Sequence, residues 1–167
     1  DKVFSENRKK KDDWEFKALL DSELGHPVII IPWTPHEDDV YGHSDGFIKW
    51  CGDNRILMGN HGDCYPEEAA SIRRILESYG FEVTEMRFKD KVSMPCYELN
   101  WAYINFLQVG KNIIMPKFNI EEDAIAQQYI QTAFPDCNIR QIEMKEIAKE
   151  GGALHCLSWN VYLPKHE

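Results

Sequence analysis

Residues 46–59 read GFIKWCGDNRILMG, two short apolar runs on either side of a Gly-Asp-Asn turn. This pattern predicts a β-hairpin. The next stretch, YPEEAASIRRILESYG (65–80), has a proline near its start, two early glutamates and a closing glycine, which are typical of a helix. FEVTEMRF (81–88) then predicts a third strand. Residues 46–88 are therefore expected to form one strand-strand-helix-strand unit.

The same order of elements recurs further along the chain. NWAYINFLQVGKNIIMP (100–116) predicts two strands, EEDAIAQQYIQTAF (121–134) a helix and NIRQIEM (138–144) a last strand. The two units, about 46–88 and 100–144, form an internal repeat, which indicates a radial or stacked α/β architecture. We expect ALHCLSWNVYL (153–163) to be the opening strand of a further unit.

The length and charge of the chain limit what it can be. With 167 residues, it can build one domain with a core, and we treat 1–167 as that domain. A formal net charge of -9 disfavours nucleic acid and anionic membranes as partners. No apolar run approaches the roughly 18 residues that span a bilayer.

The N-terminal part adds two predicted elements. Apolar residues at near-helical spacing in 14–24, followed by Gly25, predict a helix with a glycine C-cap. HPVIIIPW (26–33) predicts a buried strand. The chain begins at Asp1 without methionine, so we expect that a segment upstream was removed or that the chain is part of a longer protein.

The cysteines raise a question of chemistry. The chain has five, an odd number with no C-x-x-C pair, which argues against a disulfide framework and a zinc knuckle and favours reduced thiols in the cytoplasm. Cys156 lies in GGALHCLSWN (151–160), beside His155. From these residues alone it could be a buried sulfur, a metal ligand or a nucleophile.

Four stretches resemble a known family in the same order. They are DDVYGHSDGF (38–47), YINFLQVGKNIIMPKF (103–118), AFPDCNIRQI (133–142) and GGALHCLSWN (151–160). Together they resemble the agmatine deiminase and bacterial-type peptidylarginine deiminase family. The resemblance implies a portion, about the C-terminal half, of a five-bladed α/β-propeller of the pentein type. It also implies hydrolysis of a guanidinium group of agmatine or of arginine residues in peptides, with release of ammonia and without a cofactor.

The resemblance also implies roles for individual residues. Cys156 would be the nucleophile that forms a thiouronium intermediate, His43 the general acid and base, and Asp45 the carboxylate that binds the guanidinium. In extended backbone, residues two apart share a face, so His43 and Asp45 could act together. Gly151 and Gly152 would let the backbone approach the substrate closely.

Two positions depart from the pattern of agmatine-hydrolysing members. Asp39 stands where they carry a glutamate; it would either meet the far end of the substrate or belong to a solvated acidic loop. Ala153 stands where they carry an asparagine. Both departures favour guanidine hydrolysis in general over agmatine in particular.

Two alternatives stay open. Family members draw a second aspartate and a glutamate from their N-terminal half, so this chain could be a catalytically incomplete module that needs that half. Such a module would expose apolar edges and could associate with itself. The second alternative is a zinc hydrolase, with the metal held by His43, Asp45 and one of His155 or Cys156.

Overall fold

The computed structural model describes residues 2–10, 12–32, 43–88 and 100–161. These residues form an α/β protein with two three-stranded sheets. Its helices are α1 (Lys2–Glu6), α2 (Trp14–Leu24), α3 (His61–Cys64), α4 (Pro66–Ser78), α5 (Glu122–Ala133) and α6 (Lys145–Ala148). Its strands are β1 (Ile48–Trp50), β2 (Arg55–Met58), β3 (Glu82–Glu85), β4 (Leu107–Val109), β5 (Asn112–Lys117) and β6 (Asn138–Glu143). None of the described helices has the length and apolar character to cross a lipid bilayer.

Both sheets are built in the same way, which confirms the α/β class. In the first, β1 and β2 form an antiparallel hairpin, α4 crosses over, and β3 pairs in parallel with β2. In the second, β4, β5, α5 and β6 repeat this order. A parallel pair needs a crossover because the chain must return to the same end of the sheet, and here a helix supplies it.

A 3-10 turn precedes the first strand of each unit, and over residues 100–104 it stands where the sequence predicts a strand, so that part of the prediction is wrong. Ser44–Gly46 leads into β1, and Asn100–Ile104 leads towards β4. The hairpin turns that follow need left-handed backbone, which Gly52 (φ 91°) and Gly110 (φ 57°) adopt without a clash from a Cβ atom. The repeated unit is therefore a turn, a hairpin, a helix and a parallel strand.

The strand β2 joins the two units because its side chains alternate between two cores. Ile56 and Met58 pack with Ile72 and other buried residues of α4. Leu57 is fully buried on the other side, in a cluster composed mainly of residues from the second unit. Arg55, also on β2, donates from Nη1 to the carbonyl oxygen of the last residue of α5, at 3.3 Å.

Two predicted strands are wrong. Residues 26–32 contain no strand; instead, the Val28 N–H donates to Asp21 Oδ1 at 2.6 Å, and Ile29 and Ile31 cover the first core. Residues 153–161 contain no strand either; residues 154–157 form a turn, in which the His155 N–H donates to the Asn105 carbonyl and the Leu157 N–H to the Ala153 carbonyl. An apolar run becomes a strand only where a neighbouring backbone accepts its hydrogen bonds.

The predicted N-terminal helix is confirmed, whereas the prediction of reduced thiols is wrong for one cysteine. The helix predicted over 14–24 is confirmed as α2, and Gly25 ends it in left-handed conformation at φ 68°. Cys64 is disulfide-bonded, so the expectation of reduced thiols is wrong at this position. Cys51, Cys137 and Cys156 are free.

Candidate active site

The fold brings a thiol and a carboxylate together from distant parts of the chain. Asp45 lies in the 3-10 turn before β1, and Cys156 lies in the turn after α6. Cys156 Sγ donates to Asp45 Oδ2 at 3.4 Å, although the two residues are 111 positions apart. Cys156 is exposed and Asp45 is half-buried, so a ligand can reach this pair from solvent.

A third residue, Asn105, holds this pair and was missed by the sequence analysis. Its Nδ2 group donates to Asp45 Oδ2 at 3.0 Å and to Cys156 Sγ at 3.2 Å. Its Oδ1 atom accepts the backbone N–H groups of Ala153 and Cys156, each at 3.2 Å. Asn105 is fully buried, and all four hydrogen-bonding positions of its amide are used.

The orientation of this amide follows from its partners. Two backbone N–H groups can only donate, so the side of the amide that faces them must be the oxygen. The NH₂ group then faces the carboxylate of Asp45 and the sulfur of Cys156. In addition, the backbone carbonyl of Asn105 accepts the N–H of His155 at 3.0 Å, which fixes the turn that carries Cys156.

Lys49 brings a positive charge to the same region. It lies on β1, its Nζ atom is 4.9 Å from the centroid of the Phe106 ring, and it is half-buried. Burial lowers the pKa of Lys49, while the nearby carboxylate of Asp45 acts in the opposite direction. Burial also raises the pKa of the Cys51 thiol, whose Sγ donates to the Lys49 carbonyl at 3.3 Å.

The two predicted glycines lie beside the thiol for different reasons. Gly151 has φ 90°, a backbone conformation that L-residues with a side chain rarely adopt. A Cβ atom on Gly152 would lie 3.2 Å from the Cβ of Cys156, closer than an ordinary contact. Gly152 therefore leaves the space that the Cys156 side chain occupies.

His43 has an exposed position just before the turn that contains Asp45. Its carbonyl accepts the N–H of Gly46 at 3.0 Å. The extended backbone expected over 43–45 is wrong, because Ser44 to Gly46 form a 3-10 turn. The role of His43 stays a prediction, and Asp39 lies outside the described residues.

The geometry of the described residues does not support the alternative of a zinc hydrolase. Among residues 2–10, 12–32, 43–88 and 100–161, no three His, Cys, Asp or Glu side chains are grouped as ligands for a metal ion. His43, Asp45, His155 and Cys156 all belong to these ranges. The donors proposed for zinc are therefore not arranged around a common point.

The sequence contains one feature that could have identified Asn105 as a site residue. In YINFL (103–107) it is the one amide side chain in an otherwise apolar or aromatic run. An asparagine in such a run must find hydrogen-bond partners when it is buried. The sequence does not show what those partners are, because they come from two other segments.

The family-level comparison covers nearly the whole chain. Residues 2–161 match the model of the Porphyromonas-type peptidyl-arginine deiminase family. The matched range includes Asp45, Asn105 and Cys156. The chain belongs to the Porphyromonas-type peptidyl-arginine deiminase family.

Individual relatives are similar over about half of their own length. Agmatine deiminase of Pseudomonas putida (strain KT2440) is 38% identical over 174 residues, which cover 86% of this chain and 47% of the relative. Agmatine deiminase of Ectopseudomonas mendocina is 25% identical, with the same two coverages of 86% and 47%. The chain thus spans about half the length of these curated relatives.

Solved structures support the fold. The agmatine deiminase of C. jejuni superposes with a TM-score of 0.69 at 19% identity, over 90% of this chain and 47% of that one. The same enzyme with substrate bound gives a TM-score of 0.67 at 18% identity, over 86% of this chain and 44% of that one. At 19% and 18% identity, the similarity to these structures shows a shared fold only.

Proposed function

We propose that this chain carries the thiol half of a guanidine-hydrolysing active site. The observation that supports this most directly is the 3.4 Å contact between Cys156 Sγ and Asp45 Oδ2. A carboxylate can accept two parallel hydrogen bonds from a planar guanidinium ion. A guanidinium held on Asp45 would have its central carbon within reach of the sulfur.

In the proposed reaction, the Cys156 thiolate attacks the guanidinium carbon and a C–S bond forms. His43, as imidazolium, gives a proton to one nitrogen, the C–N bond breaks, and ammonia leaves. A thiouronium adduct remains on Cys156. His43 then takes a proton from water, and the water oxygen bonds to the same carbon. The C–S bond breaks with its electron pair on sulfur, and the remaining O–H proton passes to solvent. The products are a ureido compound and the free thiolate.

Two features would favour the thiolate in this site. The bound guanidinium is a cation close to the sulfur, and Asn105 donates a hydrogen bond to it. Hydrogen bonds and positive charge both stabilise the charged form of an acid. Asp45 acts in the opposite direction while the site is empty, so substrate binding would activate the thiol.

The substrate class is a guanidine compound, either a small cation such as agmatine or an arginine side chain in a peptide. The names of the relatives support both, since the curated proteins are agmatine deiminases and the family model is of peptidyl-arginine deiminase type. The net charge of -9 also favours a cationic substrate.

We propose further that the two units are blades of an α/β-propeller, within a single domain. The supporting observation is that Asp45 lies in the 3-10 turn at the start of the first unit and that Asn105 directly follows the 3-10 turn at the start of the second. In a radial arrangement, the starts of the units meet near the axis. The remaining carboxylates of the site would come from the rest of the ring.

The test uses the longest polypeptide that the gene encodes, assayed for ammonia release from agmatine and from an arginine-containing peptide. Cys156→Ala should abolish turnover, and Cys51→Ala, the replacement of a buried thiol outside the contact pair, should keep it. Intact-protein mass spectrometry of a quenched reaction should show the thiouronium adduct on Cys156. Full activity of Cys156→Ala would overturn the proposal.

A further inference from the structure

We propose that Asn105 is a positioning residue that sets the ionisation and the position of the Cys156 thiol. This inference rests on the proposed function, in which that thiol is the nucleophile. Asn105 contacts both the thiol and the carboxylate: it donates to Cys156 Sγ at 3.2 Å and to Asp45 Oδ2 at 3.0 Å.

The first argument concerns the backbone. Asn105 Oδ1 accepts the N–H of Cys156 itself and the N–H of Ala153, at 3.2 Å each. Its main-chain carbonyl accepts the N–H of His155. Three backbone donors of one short turn thus end on a single residue. The turn over 154–157 is also closed internally, because the Leu157 N–H donates to the Ala153 carbonyl at 3.0 Å, and Asn105 anchors this closed turn.

The second argument concerns charge. An amide N–H stabilises a thiolate more than a thiol, since a hydrogen bond to a charged acceptor is stronger. The carboxylate of Asp45 disfavours the thiolate by repulsion. Asn105 donates to both groups and lies between them, so its NH₂ group lowers the repulsion. Removing this donor should make the thiolate harder to form.

The third argument is the burial of the amide. Asn105 is fully buried, and its position between the 3-10 turn of 100–104 and β4 is held by its own N–H, which donates to the Ala102 carbonyl at 3.1 Å. A rigid donor fixes the sulfur better than a mobile one, because little reorganisation is needed when the charge forms.

The experiment measures the rate at which iodoacetamide alkylates Cys156 in the 167-residue chain, as a function of pH. Peptide mass spectrometry separates Cys156 from the other cysteines. Asn105→Asp keeps an oxygen for the two backbone donors, but it replaces the NH₂ group by an oxygen and adds a negative charge beside the sulfur. Asn105→Leu, a neutral residue of similar shape, removes the donor without adding charge. The midpoint of the pH profile should rise in both variants, by about one pH unit in Asn105→Leu, which is about a tenfold slower reaction below the midpoint.

Two further variants make the result decisive. Asp45→Asn removes the repelling charge, so its midpoint should fall, opposite to Asn105→Asp. Asn112→Asp, the same change at an exposed position of the same unit, should leave the profile unchanged. Asn105→Asp and Asn105→Leu differ in charge and in the backbone acceptor that they keep, so the proposal stays falsifiable if one of them unfolds.

The outcomes are distinct. A higher midpoint in both Asn105 variants together with a lower midpoint in Asp45→Asn supports the proposal. A higher midpoint in Asn105→Asp alone is the effect of its added charge and would overturn it. An unchanged midpoint in Asn105→Asp, with or without a lower melting temperature, would overturn it, because a purely structural residue changes stability and not ionisation. The assay contains no guanidine substrate, so a failure of the proposed reaction would not affect it.

Discussion

At the scale of single residues, the site depends on how closely the backbone approaches Cys156. Gly152 and Gly151 are adjacent, yet they are constrained for different reasons: the first by the Cys156 side chain and the second by its φ of 90°. Two alanine substitutions therefore separate local crowding from backbone strain.

We predict that Gly152→Ala slows alkylation of Cys156 several-fold while costing little stability. The new Cβ would lie 3.2 Å from the Cys156 Cβ, so the side chain that carries the sulfur must shift by a few tenths of an ångström.

Gly151→Ala has nothing within 4 Å of its Cβ. It should instead lower the free energy of unfolding by about 1 kcal/mol, because its φ of 90° is strained for a residue with a side chain. Iodoacetamide kinetics and urea unfolding check both. Equal effects of the two variants on alkylation would contradict this reasoning.

Lys49 provides a second prediction, about pH. Burial lowers the pKa of Lys49 below its ordinary value of 10.5, so between the folded and the unfolded pKa the unfolded chain binds more protons. The contribution of Lys49 to stability is therefore unfavourable at neutral pH and improves as the pH rises towards 10.5. Lys49→Met should be more stable than the wild type at pH 7, by an amount that shrinks as the pH increases.

Urea unfolding of both proteins over a series of pH values measures that difference. Lys111→Met, at an exposed position in the second hairpin turn, is the matched control and should show no such trend. A stability difference between Lys49→Met and the wild type that grows with pH would mean that burial does not dominate at this lysine.

At the scale of elements, the start of α5 is fixed by a buried carboxylate. Asp123 accepts the Phe118 N–H at 2.9 Å, the Ile120 N–H at 3.1 Å and the Tyr103 hydroxyl at 2.7 Å. Tyr103 and Asp123 are both buried, and the tyrosine belongs to the 3-10 turn that leads to Asn105. This hydrogen bond therefore ties the helix to the segment that carries the site.

We predict that Tyr103→Phe lowers the free energy of unfolding by about 1.5–3 kcal/mol at pH 7, the usual value for a hydrogen bond to a charged group.

Burial and the neighbouring Asp123 carboxylate raise the pKa of Tyr103. The wild type should therefore lose stability above about pH 10, where the unfolded tyrosine ionises, and the variant should lose less. Tyr79→Phe, at an exposed tyrosine, is the control for urea unfolding. An equal loss in both variants would show that the Asp123 contact is not the cause.

The helices and strands show which parts of the fold a sequence pattern can predict. Both hairpins, both long helices and both parallel strands were predicted, because each has a local signal: a Gly-containing turn, an early proline or acidic residue, or alternating apolar residues. The strand predictions were wrong over the described residues 26–32 and 153–161, because strand formation depends on a neighbouring strand that the local pattern does not contain. Asn105 was missed for the same reason, since its partners are Asp45 and the turn around Cys156.

At the scale of the whole molecule, the packing of β2 joins the two units, and the described part of the first unit presents exposed apolar side chains. A cleft of about 1100 Å³ lies between the N-terminal segment and the first sheet, lined by residues that include Leu24, Ile29, Ile31 and Ile48. Leu24 and Trp50 at this cleft are 64% and 66% exposed. Within the described part of the chain, β1 pairs on one side only, with β2, so it forms a sheet edge.

Exposed apolar side chains beside an unpaired strand edge favour association with another chain. We therefore predict that the 167-residue chain associates with a second copy of itself through this face. Sedimentation velocity should show a larger species that increases with protein concentration. Trp50→Glu should shift the equilibrium towards monomer, because it places a charge in the contact. Ile147→Glu changes an exposed isoleucine on α6, away from the cleft, and should leave the association unchanged. A chain that stays monomeric as the concentration rises, or equal effects of the two substitutions, would show that this face is not the interface.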